Sequence, residues 1–533
     1  MTSSKLPPGS PLIDPNTLIG CSMSRRMFTG GLLAGGLATM MAPGLGYAQA
    51  VETPKRGGSV KLALVQQTST DTFDSARYDK GNDYIRGTSV YSYLTTIDRG
   101  GAPQPEVATQ WEPNADATVW NFKFRQGITF TDGSALTAKD IAFSIMRHKD
   151  PAVASTAKQL VGNIQSVDPD GTDGFTVKLA TPDVDLPILV GLFQFALVKA
   201  GTTDFSKPIG TGAFTVEDFQ PGLRTVLVKN PNYWKEGQPY IDRFEMFPIP
   251  DNAARANALL SGDVDMVLEL RGNGIQDVEA SSVADVFVTE STRFTAVQAL
   301  MNQLPSSNVD LTLAIAHLID RKRLLDTVIR GYGTIANDQP IGPSSPLYNH
   351  DLEQRGYDLD KAKYHFQKSG IGQAPFEVSV SDAVLYSVDL GQLIQREASR
   401  AGMKLSIRRE PSESYWSAVA GKKPYATTNF HPRPTYGMLL NLAWRKGAVW
   451  NFSHYENDKL EKLIVESGST LDMGLRKEQY ADIQTILHNS GAIIIPCFLN
   501  YVDGVSKKIK GMKPLQIGNL GGFNFTDKIW IDA

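Results

Sequence analysis

The sequence predicts a mixed α/β fold of paired strands and amphipathic helices, not one doubly wound sheet. Three observations predict it. Strand-like segments such as Val60-Lys61-Leu62-Ala63-Leu64-Val65 occur beside segments with helical spacing, the two kinds alternate irregularly, and hairpin turns interrupt them. A hydrophobic content of 41% over 533 residues supports large cores. That length allows about three domain-sized units. No internal repeat or low-complexity run occurs after residue 50.

From the N-terminus, residues 1–22 are Pro- and Ser-rich, lack an apolar core and read as a disordered extension. Leu18-Ile19-Gly20-Cys21 has the letters of a lipoprotein box but no apolar segment before it. A translation start at Met23 is the simpler account. Residues 23–50 read as a twin-arginine signal peptide. Ser24-Arg25-Arg26-Met27-Phe28 leads into a soft apolar run from Gly30 to Leu45 and the cleavage site Ala48-Gln49-Ala50. The run falls short of the ~18–20 apolar residues that span a bilayer. The expected mature chain starts near Val51 and works outside the cytoplasm.

The first strand ends in the polar stretch Gln66-Gln67-Thr68-Ser69. Trp120, Phe122 and Phe124 alternate with polar residues, and Ile128 and Phe130 follow, which predicts paired strands with one aromatic face. Asp132-Gly133 predicts a turn, and Thr137-x-x-Asp140 predicts the cap of a helix over 138–147. A helix is expected over 252–261, stopped by Gly262, and then a strand over 264–268. Leu311, Ile315, Leu318, Ile319, Leu325 and Ile329 share one helical face, which predicts a single helix over 310–330 of about five or six turns. Amphipathic helices are also expected over 457–466 and 475–489.

Composition and motifs exclude several functions. A net charge of −3 gives no pull toward nucleic acid. No second apolar run approaches spanning length, so the chain forms no channel. The sequence has no G-x-S-x-G, no H-E-x-x-H, no Walker A loop and no Cys-x-x-Cys. Its seven histidines include no i, i+4 pair. No catalytic residue, metal site or cofactor is therefore assigned. Cys497, beside Ile495, Pro496 and Phe498, reads as an inert buried thiol.

Three ordered blocks carry a stronger signal. The first runs from Pro105-Glu106-Val107-Ala108-Thr109-Gln110-Trp111 through Trp120-Asn121-Phe122-Lys123-Phe124-Arg125 and Gly127-Ile128-Thr129-Phe130-Thr131-Asp132-Gly133 to Leu136-Thr137-Ala138-Lys139-Asp140-Ile141. The second comprises Pro208-Ile209-Gly210-Thr211-Gly212-Ala213-Phe214, Lys229-Asn230-Pro231-Asn232-Tyr233-Trp234 and Leu259-Leu260-Ser261-Gly262-Asp263-Val264-Asp265. The third ends in Ile319-Asp320-Arg321. Together they resemble the extracellular solute-binding proteins, family 5, of peptide, opine and nickel ABC importers, over essentially all of residues 55–533.

The resemblance implies a two-lobed periplasmic binding protein fold (type II, large subclass) with an extra inserted domain. Lobe I is expected over 51–84, 206–291 and 500–533, the inserted domain over 85–205, and lobe II over 292–499. It also implies a periplasmic, monomeric, non-enzymatic protein. Such a protein traps a small organic solute between closing lobes and hands it to permease subunits in the inner membrane. Two motifs have structural readings of their own. Gly210-x-Gly212 predicts a tight backbone turn between lobes, and Asn230-Pro231-Asn232-Tyr233-Trp234 a turn packed by aromatics.

One departure from the family bears on the ligand. Peptide-binding members carry an Asp-rich loop whose carboxylate grips the peptide's α-amino group. The matching stretch here, Asn429-Phe430-His431-Pro432-Arg433-Pro434-Thr435-Tyr436, contains no acid. Arg433 offers a fork of donors suited to carboxylate or phosphate, so the expected solute is peptide-like or opine-like with an anionic group. A solvent-facing Arg433 is the alternative. His431 reads as a hydrogen-bonding loop residue or a ligand to a metal chelate. Tyr436, Trp416 and Trp444 are candidates for stacking on the ligand or for core packing. Gln66, Gln67 and Thr68 are candidates for a cleft-facing loop. Thr312 stands where the family usually has Arg. A secreted hydrolase on the same scaffold and a ligand-sensing partner of a membrane receptor remain open as other functions.

Overall fold

A computed structural model describes residues 53–532. The expected extension (1–22) and twin-arginine signal (23–50) lie outside the described residues. The frame is a sheet of twelve strands crossed by two long antiparallel strands, Ala284–Ala299 and Cys497–Ser506. Val286, Phe287, Val288 and Phe294, Ala296, Val297 make the first of these a natural strand with two buried faces.

On one side, Gly504 and Val505 pair with Met266–Val267, followed in space by Ser59–Leu64, Arg243–Pro248, Arg224–Lys229 and Phe214–Gln220. On the other, 294–299 pair with Tyr425–Phe430, followed by Phe376–Val380 and Leu405–Arg409. These halves are lobes I and II. Between them the register of the two long strands shifts, from Thr289 opposite Tyr501 to Arg293 opposite Leu499. A bulge of this kind bends the ladder, and here it marks the crossing between lobes.

Each lobe has its own cores. Val60, Leu62, Phe244, Met246 and Phe525 fill one in lobe I. In lobe II the strand period of two sends alternate residues to opposite faces. Val297 and Ala299 face Leu311, Ile315 and Ile394, whereas Phe294 and Ala296 face Phe430, Leu440, Trp444 and Ile483.

A separate four-stranded antiparallel sheet contains Ala108–Pro113, Val119–Phe124, Gly174–Leu179 and Ile164–Asp170. Trp120, Phe122 and Phe124 are all buried on its inner face, and Phe122 stacks on Phe175 at 4.9 Å. The helix Ala138–Met146 packs there, begun by Asp140, which accepts from the Thr137 N–H at 2.8 Å and hydroxyl at 2.6 Å.

Local expectations meet the structure unevenly. The helix Asn252–Ser261 ends at Gly262 in the left-handed conformation, but the strand after it is only Met266–Val267. Ile128 and Phe130 are buried without forming a strand, because a single bridge between Thr129 and Ala135 closes a turn around Asp132-Gly133. The single helix expected over 310–330 is broken into Val309–His317, Arg321–Arg323 and a π-turn at Leu324–Val328. The break lets Asp320 cap a new start by accepting the Arg323 N–H at 2.9 Å, while Arg321 turns inward to Asp338. Helices Asp458–Ser467 and Met473–Asn489 start on Asn457 and Asp472 caps.

Gly210 and Gly212 are not left-handed turn residues. A Cβ on either would lie 2.0 Å from the Val90 carbonyl oxygen or 2.4 Å from its carbon, so close backbone approach requires glycine there. The Asn230–Trp234 motif is a turn, held by Asn230 Nδ2 donating to the Gly212 carbonyl at 2.8 Å and Trp234 Nε1 donating to Ser92 Oγ at 2.9 Å.

Candidate ligand cleft

The two lobes touch on both flanks of the crossing strands. Arg330 Nη1 of lobe II donates to the Gly272 carbonyl of lobe I at 3.1 Å, and the neighbouring Tyr332 hydroxyl bonds Glu279. Gln516 Nε2 donates to Ser344 Oγ at 3.1 Å. The inserted sheet domain also reaches lobe II. There Asp185 pairs with Arg476 at 2.8 Å and the Val184 N–H donates to the Gly468 carbonyl at 3.0 Å. These contacts tie the lobes together beside the crossing strands.

Two arginines near the crossing both act on the ring of His431. Arg293 follows the bulge directly. Its guanidinium lies 4.5 Å from the Tyr501 ring centroid, its Nη2 donates to the Asn500 carbonyl at 3.1 Å, and its buried Nε has no partner. Arg433, on the loop after Tyr425–Phe430, lies 4.7 Å over the Trp450 ring, and its one hydrogen bond goes to the carbonyl of its own neighbour Pro432 at 3.4 Å. Among the described residues neither guanidinium has a carboxylate at ion-pair distance. Aromatic faces support both cations and leave their donors free.

His431 opens onto the cleft, yet enough protein surrounds its ring to strip solvent. That loss, reinforced by Arg293 and Arg433 and opposed by Glu269, brings its pKa down to about 4. The ring is neutral at pH 7. Burial pushes the Glu269 carboxyl up, but Arg271 and Arg293 outweigh it and hold the group below its usual range. Glu269 is already paired with Arg271 at 2.6 Å. Tyr84 of lobe I, raised to about 12 by burial and drawn back by Arg433, stacks on Phe193 at 4.4 Å. The cations therefore outnumber the acid that acts on His431, and that acid, Glu269, is engaged by Arg271.

Two small cavities adjoin these groups. One, of about 30 Å3, is lined by Glu269, Arg293, Tyr386, Asn500 and Tyr501. Glu269 and Tyr386 both hold left-handed backbone, with φ of 52° and 58°. Strain of this kind gathers where a site must be pre-shaped. The second, of about 40 Å3, lies beneath Pro434 between the inserted domain and the C-terminal segment. A wider hollow of about 800 Å3 lies elsewhere, beside Arg125 and Lys235. Lys235 is engaged there, by Glu106 and by Asp527 at 3.2 Å.

The structure brings His431 and Arg433 together with Arg293. It places the other sequence candidates differently. Trp444 is buried and stacks on Phe430 at 5.7 Å within the lobe II core. Tyr436 packs against that core, its hydroxyl accepting the Gly342 N–H at 3.3 Å. Trp416 is 42% exposed and lies edge-on to Tyr415. The Gln66 carbonyl accepts from Asn82 Nδ2, and Thr68 Oγ1 accepts from Lys80 Nζ at 2.6 Å. Both amide atoms of Gln67 are buried without a hydrogen-bond partner. Burial takes the Cys497 thiol to about 12, so it is no nucleophile. Among the described residues no three His, Cys, Asp or Glu side chains cluster as a metal site.

Sequence reasoning misses Arg293, Tyr84, Trp450 and Tyr501. The signal for Arg293 is the polar run Thr289-Glu290-Ser291-Thr292-Arg293 interrupting an apolar strand.

Residues 102–448 match the family model described as bacterial extracellular solute-binding proteins, family 5 Middle. Heme-binding protein A of Haemophilus influenzae is 23% identical over 484 residues, covering 82% of this chain and 87% of that protein. The probable D,D-dipeptide-binding periplasmic protein DdpA of Escherichia coli is 23% identical over 478 residues, covering 84% of this chain and 90% of that protein. The periplasmic binding protein DppA of Helicobacter pylori, solved with the peptide STSA, matches with a TM-score of 0.74 at 20% identity, covering 90% of this chain and 99% of that one.

Proposed function

The chain belongs to the bacterial extracellular solute-binding proteins, family 5, and from that premise we propose that it is the periplasmic, non-enzymatic capture component of an ABC importer. Its fold is the two-lobed type II periplasmic binding protein fold with an inserted domain. In this reading the protein is exported by the twin-arginine route, acts as a monomer, and delivers a small peptide-like or opine-like solute with an anionic group to inner-membrane permease subunits. The domain division follows the same reading: lobe I over 51–84, 206–291 and 500–533, the inserted domain over 85–205, and lobe II over 292–499. The register shift between Thr289 and Arg293 supports it.

The observation that carries the proposal is that Arg293 and Arg433, each set on an aromatic ring, act together on His431 beside the crossing of the two long strands. A ligand bound there touches both lobes, so it stabilises the closed state by its differential affinity for it. The named relatives bind heme or dipeptides, and DppA holds a peptide. Such variety is what a shared closing frame with exchangeable cleft residues allows.

The experiment is native mass spectrometry on residues 51–533, purified gently from a rich culture and then denatured to release any passenger. A monomer carrying one stoichiometric small molecule is the expected result. If the protein is empty, a thermal-shift screen follows, in which a ligand at 100 times its dissociation constant adds about 2.7 kcal/mol. An empty protein that no peptide, opine, sugar phosphate or metal chelate stabilises overturns the reading.

A further inference from the structure

We propose that the solute is a small amphipathic anion: its anionic oxygen group sits between Arg293, Arg433 and His431, and a short apolar arm enters the slot beneath Pro434. The proposal rests on the cleft reading above and gives it a substrate class.

The anionic end follows from the charge inventory. Two guanidinium groups act on the one ring of His431, and among the described residues neither has a carboxylate at ion-pair distance. Tyr501 and Trp450 each hold one guanidinium over an aromatic ring, and a fork held in place favours two-oxygen recognition. A cationic end has no counterpart, because Glu269 is taken by Arg271 and the 431–436 loop carries no acid. Asn500 Oδ1 is also buried and unpartnered beside Arg293. It calls for one N–H or O–H donor near the anionic group.

The apolar arm follows from the slot. Ile97 and Ile188 of the inserted domain, Leu515 and Ile517 of the C-terminal segment, and Pro434 line it with half-exposed apolar surface. It begins next to Arg433 in the chain, and Tyr84 links the two, coupled to Arg433 on one side and stacked on Phe193 of the slot wall on the other. Its free volume of about 40 Å3 holds about two or three water-sized groups. The arm is therefore short, of a few carbons.

The test uses residues 51–533 and matched probes in thermal-shift and calorimetric titrations. The probes are straight-chain carboxylates from acetate to octanoate, their amides, the corresponding amines, inorganic phosphate and butyl phosphate. The acids or butyl phosphate are expected to bind, the amides and amines not, with affinity rising up to a few carbons and falling beyond. Arg433→Gln and Arg293→Gln should each weaken binding about tenfold or more with no loss of melting temperature in the empty protein. Leu515→Trp should abolish the gain from chain length while leaving acetate binding as it was.

Two results overturn the proposal. One is a copurified passenger that is neutral or cationic, which leaves the importer role standing. The other is acids that stabilise no more than their amides. An apolar arm without effect on affinity overturns the slot while sparing the anion. Failure of every solute, passenger included, belongs instead to the capture reading.

Discussion

Two pairs of arginines in this protein meet opposite fates. Arg321 and Arg355 converge on Asp338. Arg321 Nη2 reaches both carboxylate oxygens at 2.8 Å, Arg355 Nε reaches one at 2.7 Å, and all three side chains are buried. Asp338 accepts the Ile495 N–H at 2.9 Å as well, and Arg355 Nη2 donates to the His488 carbonyl at 2.6 Å. Arg293 and Arg433 have instead an aromatic face each and no carboxylate. The first pair is scaffold: its charge is matched and most of its donors are used. The second is half-buried, oriented and unmatched, an arrangement that lowers the protein's own stability and gains its value from a ligand.

The largest effect expected from this contrast is on folding. Asp338→Ala leaves two buried cations without their shared acceptor, and removal of one partner from such a buried group destabilises by about 3–5 kcal/mol. Arg433→Ala removes no matched charge and should shift stability by less than about 1 kcal/mol. Urea unfolding followed by tryptophan fluorescence measures both, since Trp444 and Trp450 lie in lobe II. Equal midpoints for the two variants would break the comparison.

How much of this is legible in the sequence depends on the range of the interaction that decides it. Helix caps are local, so Asp140, Gly262 and Asn457 are readable. The break at Asp320 is not, because Leu318 and Ile319 continue a helical face and the deciding contact, Arg321 to Asp338, is tertiary. Thr312, in the place of an expected Arg, bonds the buried Tyr425 hydroxyl at 3.0 Å, which only packing reveals. In the cleft, Arg433 stands out because it replaces acids in a known loop. Arg293 owes its position to a register shift between strands distant in sequence. Trp444 and Trp450 look alike in the chain, yet one stacks inside the core on Phe430 and the other carries Arg433.

A third kind of arginine sharpens the contrast. Arg476 has its carboxylate, but on the inserted domain: Asp185 lies across the interlobe boundary at 2.8 Å, and both side chains are nearly buried. Parting of the lobes would separate the pair. Asp185→Asn should favour the open state of the unliganded protein by about 1.5–3 kcal/mol, the worth of a charged hydrogen bond. Small-angle scattering should then show a larger radius of gyration, with saturating ligand restoring the compact form. An unchanged radius in the empty variant would place Asp185–Arg476 with the scaffold pair.

The smallest expected effect concerns the unmatched pair and His431 between them. Loss of solvent, Arg293 and Arg433 hold the ring near pKa 4, with Glu269 pulling the other way. At pH 7 it carries no proton in the empty cleft. An anion placed against both arginines cancels part of their field and adds a negative neighbour, so the ring's pKa rises on binding. Linkage sets the sign: where the complex takes up a proton that the empty protein does not, affinity increases as pH falls. A rise from about 4 to about 5 in the complex gives about a twofold gain in affinity from pH 7 to pH 5, and a rise to about 6 about a ninefold gain. Calorimetry with a short alkyl sulfonate, a strong acid that stays a monoanion over that range, measures it free of the ligand's own titration. His431→Asn should flatten the profile at the pH 7 affinity. A profile that stays steep in that variant would move the proton to another group and detach His431 from the anion site.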